Sequence, residues 1–331
     1  MMTTENSQPG LVIVPEDVCK KVIDRASAFT AVESVFAAMA KGDAYNFPVI
    51  REAIGYADAL YGFKSGFDRA GMALGVKSGG YWPGNAEKGL TNHQSTIFLF
   101  DPDTGKLTAL VGGNYLTAVR TAASCAVSIA HLARKDAKTL GIIGAGHQAS
   151  FQLRAAAEQR QFEKIVAWNK SPERLDSLAA VAADLGLPFE SLDREQVAAQ
   201  SDVIITITSA HEALLLNDWI RPGTHIACMG TDTRGKQEVD AQLFATASVF
   251  TDEVAQSISI GEAQHAVDQG LLTQDDITPI GDVINGVDGG RTSAEQITLF
   301  DGTGVGLQDL AVATTAVELA VAKGLATSVA L

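Results

Sequence analysis

The apolar positions of the first 120 residues form short runs that glycines interrupt. Such runs at 72–76 and 96–100 predict strands, and the sequence Asp-Pro-Asp-Thr-Gly at 101–105 predicts a hairpin turn. Apolar residues at helical spacing predict a helix over 30–42, which opens with a Thr-x-x-Glu capping box and ends at a glycine. Residues 117–133 are rich in alanine and contain few helix breakers, so they predict a longer helix.

From Lys138 onward, β-branched apolar runs alternate with helical patterns. Helices are predicted over 148–160 and after Ser171, where a capping residue precedes a proline at the first helical position. Strands are predicted at 139–144, 165–168, 202–208, 225–229 and 248–251. Continuously apolar strands that alternate with helices are typical of a parallel sheet covered on both faces, so the predicted fold class is α/β with a doubly wound parallel sheet. A further alanine- and valine-rich helix is predicted over 309–323.

A glycine-rich segment directly follows the first of these strands. The sequence at 144–149, Gly-Ala-Gly-His-Gln-Ala, matches the pattern G-x-G-x-x-A and opens the next helix, which is the context in which the pattern indicates a dinucleotide site. Gly144 permits a tight turn, Gly146 lets the backbone approach a pyrophosphate, and Ala149 keeps helix and strand close. The first N–H groups of the helix then face the phosphates. The alternative is a glycine-rich turn of an unrelated α/β fold.

Polar residues at the ends of the next two strands bear on the choice of cofactor. An acidic residue at the end of the second strand would bind a ribose diol, but this chain has Asn169 and Lys170 there. Asn169 can hydrogen-bond a hydroxyl group and Lys170 can meet a 2′-phosphate, so these residues leave NAD(H) and NADP(H) both open. The third strand ends with Thr206, Thr208 and Ser209, where small polar residues usually border a cofactor. The β-propensity of threonine is the alternative explanation there.

Four basic side chains before residue 121 are candidates for binding a carboxylate. Arg51, Lys77 and Arg120 each follow an apolar stretch, and arginine is suited to bidentate carboxylate binding. The alternative for each is a surface charge on a partly buried aliphatic stem. For Arg120, which lies inside an otherwise apolar helical segment, the pattern favours a functional role. His93 precedes a strand and is either a structural histidine or part of the site.

Asp232 is the candidate catalytic acid. It lies in the sequence Met-Gly-Thr-Asp-Thr-Arg-Gly-Lys at 229–236, after the fourth strand of the parallel sheet. Ligands of open α/β sheets bind beyond the carboxyl ends of the strands. A carboxyl group in that position can exchange a proton or stabilise an iminium cation. The alternative is a side chain that caps a turn.

Composition and charge narrow the range of partners. The 331 residues are 46% hydrophobic and 19% charged, with a net charge of −14, so no overall positive field attracts nucleic acid or an anionic membrane. No apolar run is long enough to cross a bilayer, and residues 1–10 lack the apolar segment of a secretory signal. The three cysteines have no metal-type spacing. We therefore expect a cytoplasmic protein without a disulfide framework or a metal site.

Several segments together resemble the ornithine cyclodeaminase/μ-crystallin family over nearly the whole chain. No single segment is decisive, but their order and spacing are highly specific. The segments are 75–77, 93–96, 100–105, 116–123, 144–149, 168–171, 230–232, 300–304 and 307–309. The resemblance implies a homodimer with an α+β substrate-binding and dimerisation domain, formed by residues 1–121 and 306–331. It implies a Rossmann domain that binds NAD(P) at 122–305.

The resemblance also assigns roles to particular residues. It implies that Arg51, Lys77 and Arg120 hold the carboxylate of a small imino or amino acid, and that Asp232 and Lys77 serve in catalysis. Asn92 and His93 would lie near the same substrate. The residues implied for the cofactor are Thr121, Gly144, Ala145, Gly146, His147, Gln148, Asn169, Lys170, Thr206, Thr208, Ser209, Met229 and Gly230.

Departures from the family pattern select among its reactions. Asn92 stands where ornithine cyclodeaminases have threonine, and Asn169 replaces an acidic residue, which argues against cyclodeamination. Asp232, which μ-crystallins lose, is retained, which argues for a catalyst. The resemblance therefore favours an NAD(P)H-dependent imino-acid reductase. A basic set that includes Arg51 and His93 can host a second carboxylate, and together with the look of the whole chain this makes the conversion of iminosuccinate to L-aspartate with NADH the specific expectation. The alternatives are ornithine cyclodeaminase, alanine dehydrogenase or ketimine reductase activity, and a non-catalytic NAD(P)H-dependent binding protein.

Overall fold

The computed structural model describes residues 10–330, which divide into two compact units. One unit contains the described residues up to Arg120 together with those from Val305 onward, and the other is Thr121–Gly304. The prediction that residues 1–10 lack a secretory signal concerns residues that, apart from Gly10, lie outside the described range. No helix between residues 10 and 330 is both long enough and apolar enough to span a membrane.

A mainly antiparallel sheet forms the centre of the first unit. Its eight strands within the described residues, numbered along the whole chain, are β1 (Leu11–Val14), β2 (Ala44–Asn46), β3 (Ile50–Ala53), β4 (Leu60–Asp68), β5 (Ala73–Tyr81), β6 (His93–Phe100), β7 (Leu107–Gly112) and β18 (Thr327–Val329). Their order is β18-β1-β7-β6-β5-β4-β2, and β3 also pairs with β4. The predicted hairpin turn between β6 and β7 is confirmed, since the Gly105 N–H donates to the Asp101 carbonyl oxygen at 2.8 Å.

Helix α2 begins earlier than its sequence pattern predicts. The helices that lie wholly or partly in this unit are α1 (Glu16–Val22), α2 (Arg25–Ala40), α3 (Asn114–Leu132) and α11 (Gly306–Ala322). The Asp24 carboxylate accepts from the Ser27 N–H at 2.8 Å, and the Ser27 hydroxyl accepts from the Asp24 N–H at 3.1 Å. The predicted start at Thr30 was therefore wrong, because Asp24 caps an earlier turn and no breaker separates it from Thr30.

Helix α11 approaches one face of this sheet closely. A Cβ atom on Gly306 would lie 2.7 Å from the Ser65 backbone nitrogen, and one on Gly75 would lie 2.8 Å from a side-chain carbon of Leu310. A larger residue at either position would push the helix away from the strands. This close approach allows Asp309, in the first turn of α11, to reach a side chain of β5.

A parallel sheet forms the centre of the second unit. Its eight strands within Thr121–Gly304 are β8 (Thr139–Ile143), β9 (Lys164–Trp168), β10 (Phe189–Ser191), β11 (Val203–Thr206), β13 (His225–Cys228), β15 (Ser248–Thr251), β16 (Ile277–Pro279) and β17 (Thr298–Asp301). Each neighbouring pair in the order β10-β9-β8-β11-β13-β17-β15-β16 is parallel. The central strands β8, β11, β13 and β17 are buried along their full length. The predicted α/β class with a parallel sheet is confirmed.

The strand order of the second unit places a ligand crevice next to β8. The chain moves outward from β8 through β9 to β10 and then returns to β11 on the other side, so the order reverses between β8 and β11. Open α/β sheets bind ligands beyond the carboxyl ends of the strands at such a point. The helices of this unit are α4 (Ala149–Ala157), α5 (Leu175–Asp184), α6 (Arg194–Gln200), α7 (Gln242–Thr246), α8 (Val254–Ser257), α9 (Gln264–Asp268) and α10 (Ile280–Ile284), and β12 (His211–Leu215) pairs with β14 (Gln237–Val239).

Candidate active site

A buried carboxylate in the first unit binds two of the predicted cations. The Asp309 Oδ2 atom lies 2.6 Å from the Lys77 Nζ, and the Asp309 Oδ1 atom lies 2.9 Å from the Arg120 Nε. The Arg120 Nη1 also donates to the Gln308 Oε1 at 2.9 Å. All four side chains are buried, and a buried charge is tolerated only when it is paired. We call Lys77, Arg120 and Asp309 the clamp.

Burial and mutual charge set the protonation of the clamp. Burial lowers the pKa of Lys77 to about 7, with Asp309 opposing the shift and the positive charges of Arg120 and Lys64 adding to it. Burial alone would raise the pKa of Asp309, but Arg120 and Lys77 outweigh it and hold that pKa below its ordinary value. Asp309 is therefore ionised at neutral pH, while Lys77 can gain or lose a proton there.

His93 and Arg51 lie close enough to the clamp to interact with it electrostatically. Burial, followed by the positive charges of Lys77 and Arg120, lowers the pKa of His93 to about 3, and Arg51 contributes to the same shift. His93 is therefore a neutral imidazole at neutral pH, which offers hydrogen bonds and no charge. The structure thus brings four of the predicted substrate residues into one electrostatic group.

Asn92 makes its visible contacts in the connection between β5 and β6. Its Oδ1 accepts from the Ala86 N–H at 3.0 Å, and its Nδ2 donates to the Tyr81 hydroxyl at 3.2 Å. Both ends of the amide thus order the chain that leads into His93. A contact between Asn92 and a substrate stays a prediction.

Sequence reasoning missed Asp309 and Gln308 as members of this group. Both belong to the first turn of α11, whose remaining positions are mainly apolar or small. A carboxylate and an amide inside such a helix are a usable signal, because a buried polar group needs a partner elsewhere. The partner itself, however, does not follow from the local pattern.

In the second unit, the connection between β8 and α4 has the features of a phosphate-binding turn. Gly144 has a φ angle of +114°, and a Cβ atom there would lie 2.4 Å from the Ile207 carbonyl oxygen, so only glycine fits. A Cβ atom on Gly146 would meet no described atom within 4 Å. Helix α4 begins without a side-chain cap, and the Gln148 Oε1 is buried without a hydrogen-bond partner among residues 10–330. The open space beside Gly146 and the uncapped backbone N–H groups at the start of α4 fit a dinucleotide pyrophosphate.

Asn169 connects this turn to the segment that follows β9. Its Oδ1 accepts from the Ala145 N–H at 3.0 Å, and its Nδ2 donates to the Ser171 carbonyl oxygen at 2.8 Å. A carboxylate could accept the first hydrogen bond but could not donate the second. The residue expected at the ribose thus also holds the glycine-rich turn in place, while its neighbour Lys170 is exposed.

A buried carboxylate that sequence reasoning missed organises the strand ends of the second unit. The Glu238 carboxylate accepts from the hydroxyl groups of Thr206 and Thr208 at 2.7 and 2.8 Å. It also accepts from the N–H groups of Thr208 and Gly230 at 2.5 and 2.9 Å. Three predicted cofactor residues are therefore fixed by one side chain, which lies in an unremarkable Gln-Glu-Val sequence and gives no local signal.

A second buried carboxylate supports the first. Glu262 accepts from the N–H groups of Glu238 and Val239 at 2.7 and 2.8 Å and from the Thr231 hydroxyl. Burial and then the charge of Glu238 raise the pKa of Glu262. Two buried acidic side chains, Glu238 and Glu262, thus fix the loop that follows β13 through hydrogen bonds.

The remaining predicted cofactor residues occupy different environments. Met229 is buried, and its N–H donates to the Thr206 carbonyl oxygen at 2.8 Å. Thr121, within α3, is also buried, whereas His147 and Ser209 are exposed. Contact of these residues with a dinucleotide stays a prediction.

Asp232 is paired with a lysine that sequence reasoning did not single out. The Lys236 Nζ lies 2.8 Å from the Asp232 Oδ1 and also donates to the Gly230 carbonyl oxygen at 3.2 Å. The Thr233 hydroxyl donates to the same carboxylate oxygen at 3.2 Å. Asp232 is half-buried, so its carboxyl group is oriented by two donors and still reaches the surface of the unit.

Comparison with known proteins establishes the family. The model of the ornithine cyclodeaminase/mu-crystallin family matches residues 16–324. This match covers nearly the whole chain and includes the clamp, the glycine-rich turn and the Asp232 loop. The chain belongs to this family, as its sequence motifs predict.

Similar proteins include an iminosuccinate reductase and an alanine dehydrogenase. Iminosuccinate reductase from Paracoccus denitrificans (strain Pd 1222) is 58% identical to this chain over 319 residues, which are 96% of this chain and 99% of that protein. The crystal structure of the Paracoccus denitrificans iminosuccinate reductase in complex with NAD+ matches with a TM-score of 0.94 at 57% identity, over 97% of this chain and 100% of that one. An archaeal alanine dehydrogenase dimer with bound NAD matches with a TM-score of 0.90 at 30% identity, over 96% and 98% of the two chains.

The Asn169 contacts generate a prediction about dinucleotide binding. Asn169→Ala should weaken NADH binding about tenfold, because it removes two hydrogen bonds that are each worth about 0.5–1.5 kcal/mol. A fluorescence titration of NADH with the purified variant measures the change. Lys170→Ala, at the exposed neighbour, should keep the NADH affinity within about twofold. Equal affinities for wild type and Asn169→Ala would show that these hydrogen bonds do not support the site.

The pKa of Lys77 generates a prediction about carboxylate binding. Only the protonated amine attracts a carboxylate, and burial places this pKa at about 7. The affinity for succinate, a non-reacting dicarboxylate, should therefore fall by up to about tenfold per pH unit as the pH rises above 7. Calorimetric titrations between pH 6 and 9 measure this dependence. In Lys77→Arg the guanidinium stays protonated, so the dependence should disappear, and a persistent dependence would assign the titration to another group.

Proposed function

We propose that this protein is an NADH-dependent reductase that converts iminosuccinate to L-aspartate. The observation that carries the proposal is the 58% identity to iminosuccinate reductase over 96% of this chain and 99% of that protein. The clamp supports it, because two buried cations that share one carboxylate suit an anionic substrate. The overall reaction consumes one imine, one NADH and one proton, and it yields one amine and NAD+.

The first unit would hold the carboxylate next to the reacting carbon. Arg120 is fixed in orientation by Asp309 and Gln308, so it needs little reorganisation to meet a carboxylate oxygen. Lys77 supplies the second positive charge when it is protonated. Arg51 and the neutral His93 add one charge and one hydrogen-bonding group near the same place.

The second unit would bind the dinucleotide and supply the catalytic carboxylate of Asp232. When bound, NADH supplies the hydride that reduces the imine carbon. The glycine-rich turn and the start of α4 would hold the phosphates, and the strand ends that Glu238 fixes would form the rest of the dinucleotide site. Asp232 stabilises the iminium cation through its negative charge, and Lys236 keeps its carboxylate in one orientation.

NADH is the favoured cofactor for two reasons. The iminosuccinate reductase and alanine dehydrogenase structures that match this chain hold NAD+ or NAD. In this chain, Asn169 stands at the predicted ribose position and makes two hydrogen bonds within the protein, and the neighbouring Lys170 is exposed.

The proposed reaction predicts that NADH oxidation requires two co-substrates. Purified protein should oxidise NADH when oxaloacetate and ammonia are both present, because they form iminosuccinate in solution, and not with oxaloacetate alone. Absorbance at the NADH band measures the rate, and chiral chromatography identifies the aspartate. Release of ammonia from ornithine without this activity would place the protein in the cyclodeaminase branch.

Asp232→Asn provides the matched variant for this assay. The amide keeps the size of the side chain but loses the charge and the proton exchange, so kcat should fall by about a hundredfold or more. NADH binding should change little. Unchanged turnover would remove Asp232 from the mechanism.

We further propose that the protein is a homodimer that covers an aromatic face of the first sheet. Tyr61 and Phe63 alternate along β4 with residues that face α11, and their rings are 5.3 Å apart. They are 36% and 39% exposed, and a contiguous exposed apolar patch is typical of a protein interface. The structure of the matching alanine dehydrogenase is a dimer.

The dimer proposal predicts that Phe63→Glu yields a monomer. A charge at this position would be desolvated in the interface, so the mass measured by light scattering should fall to about half. Leu216→Glu, at a 38% exposed apolar residue of the second unit, is the control and should keep the wild-type mass. A wild-type monomer, or a dimer of Phe63→Glu, would contradict the proposal.

A further inference from the structure

Lys64 lies beside the clamp on the same face of the first sheet. Its Cα is directly opposite that of Lys77 in the pairing of β4 with β5, and side chains at directly opposed positions share a face. Lys77 reaches Asp309 on α11, so this is the face that α11 covers. The charge of Lys64 lowers the pKa of both Lys77 and Asp309. The two lysines are therefore a like-charge pair, and the charge of Asp309, which interacts with both, offsets their repulsion.

The adjacent row of this face has no side chains at its centre. Gly62 is opposite Gly79, with Arg51 opposite Gly62 at one end and Ser95 opposite Gly79 at the other. A Cβ atom on Gly79 would lie 2.3 Å from a backbone carbonyl oxygen, so the row cannot accommodate a larger residue there. His93 lies one row further on. The glycines thus form a bare floor between the lysine pair and the imidazole.

The charges around this floor suit a ligand with two carboxylates. Asp309 offsets one of the two positive charges of the clamp, which leaves one for a carboxylate. His93 is a neutral imidazole and adds none. A second carboxylate therefore needs a further cation. Arg51 lies at the end of the glycine row, and Lys64 is the cation placed directly across from Lys77. Opposed Cβ atoms are about 5 Å apart, so the side chains of Lys64 and Lys77 start from neighbouring positions on this face.

We propose that Lys64 binds the distal carboxylate of a four-carbon dicarboxylic imino acid whose α-carboxylate is held by Lys77 and Arg120. This inference rests on the proposed function, since it identifies the part of the site that recognises the second carboxylate. Lys64 is then a specificity residue. It distinguishes iminosuccinate from the imine of pyruvate, which ends in a methyl group and gives Lys64 nothing to bind.

The test compares two substrates and two ligands across three variants. Lys64→Met removes the charge at nearly constant length, Lys64→Arg keeps it, and Lys41→Met is the control at an exposed lysine of the same unit. NADH oxidation is measured with ammonia and either oxaloacetate or pyruvate. Binding of succinate and of propionate is measured by calorimetry in the presence of NAD+, which requires no turnover.

In Lys64→Met, the KM for oxaloacetate should rise at least about tenfold, since hydrogen bonds to a charged group are lost. The KM for pyruvate should change less than about twofold, and the preference for succinate over propionate should largely disappear. Lys64→Arg should retain both preferences, and Lys41→Met should match wild type. An unchanged oxaloacetate KM in Lys64→Met, or equal losses with both substrates, would overturn the assignment.

The two ligands separate this inference from the proposed function. If wild-type protein fails to oxidise NADH with oxaloacetate and ammonia, the proposed reaction is wrong. The assignment of Lys64 would still stand if wild type prefers succinate to propionate and Lys64→Met does not. If wild type binds both ligands equally, the distal carboxylate site does not exist.

Discussion

The first unit depends on one buried carboxylate, that of Asp309. Lys77 on β5 and Arg120 on α3 are both withdrawn from water, and each needs a negative partner in the absence of a ligand. Loss of one partner of a buried ion pair typically costs about 3–5 kcal/mol, because the other charge is left alone. The seating of α11 on the sheet is therefore coupled to binding chemistry. The same helix that completes the apolar core also keeps two cations in position for a carboxylate.

The second unit uses the same device at the ends of its parallel strands. Glu238 accepts four hydrogen bonds from three residues that border the crevice, and Glu262 holds the backbone of Glu238 in turn. These donors are fixed by the protein itself and do not wait for a ligand to order them. Sites whose polar groups are fixed in advance lose little free energy to reorganisation when a ligand binds or reacts.

What the sequence predicted depends on local pattern, and what it missed depends on distant partners. The glycine-rich turn at 144–149, the β-branched strands and the hairpin at 101–105 each carry their signal within a few residues, and the structure has each of them. The predicted start of α2 at Thr30 was wrong because a second capping pattern, at Asp24, lies shortly before it. Asp309 contacts Arg120 across 189 positions, and Glu238 draws together three separate strand ends. No local pattern records such partnerships, although an acid among the apolar residues of a helix indicates that one exists.

The discontinuous first unit has a consequence for biosynthesis. The second unit is one continuous segment, so it can fold as soon as its last strand has left the ribosome. The sheet of the first unit is translated much earlier but lacks α11 until residues 306–322 emerge. During that interval the nascent chain carries an unfinished sheet, with an uncovered apolar face and two cations that have not yet met Asp309. Such surfaces are prone to misassociation, so chaperones that protect this protein during translation should act on the first unit rather than the second.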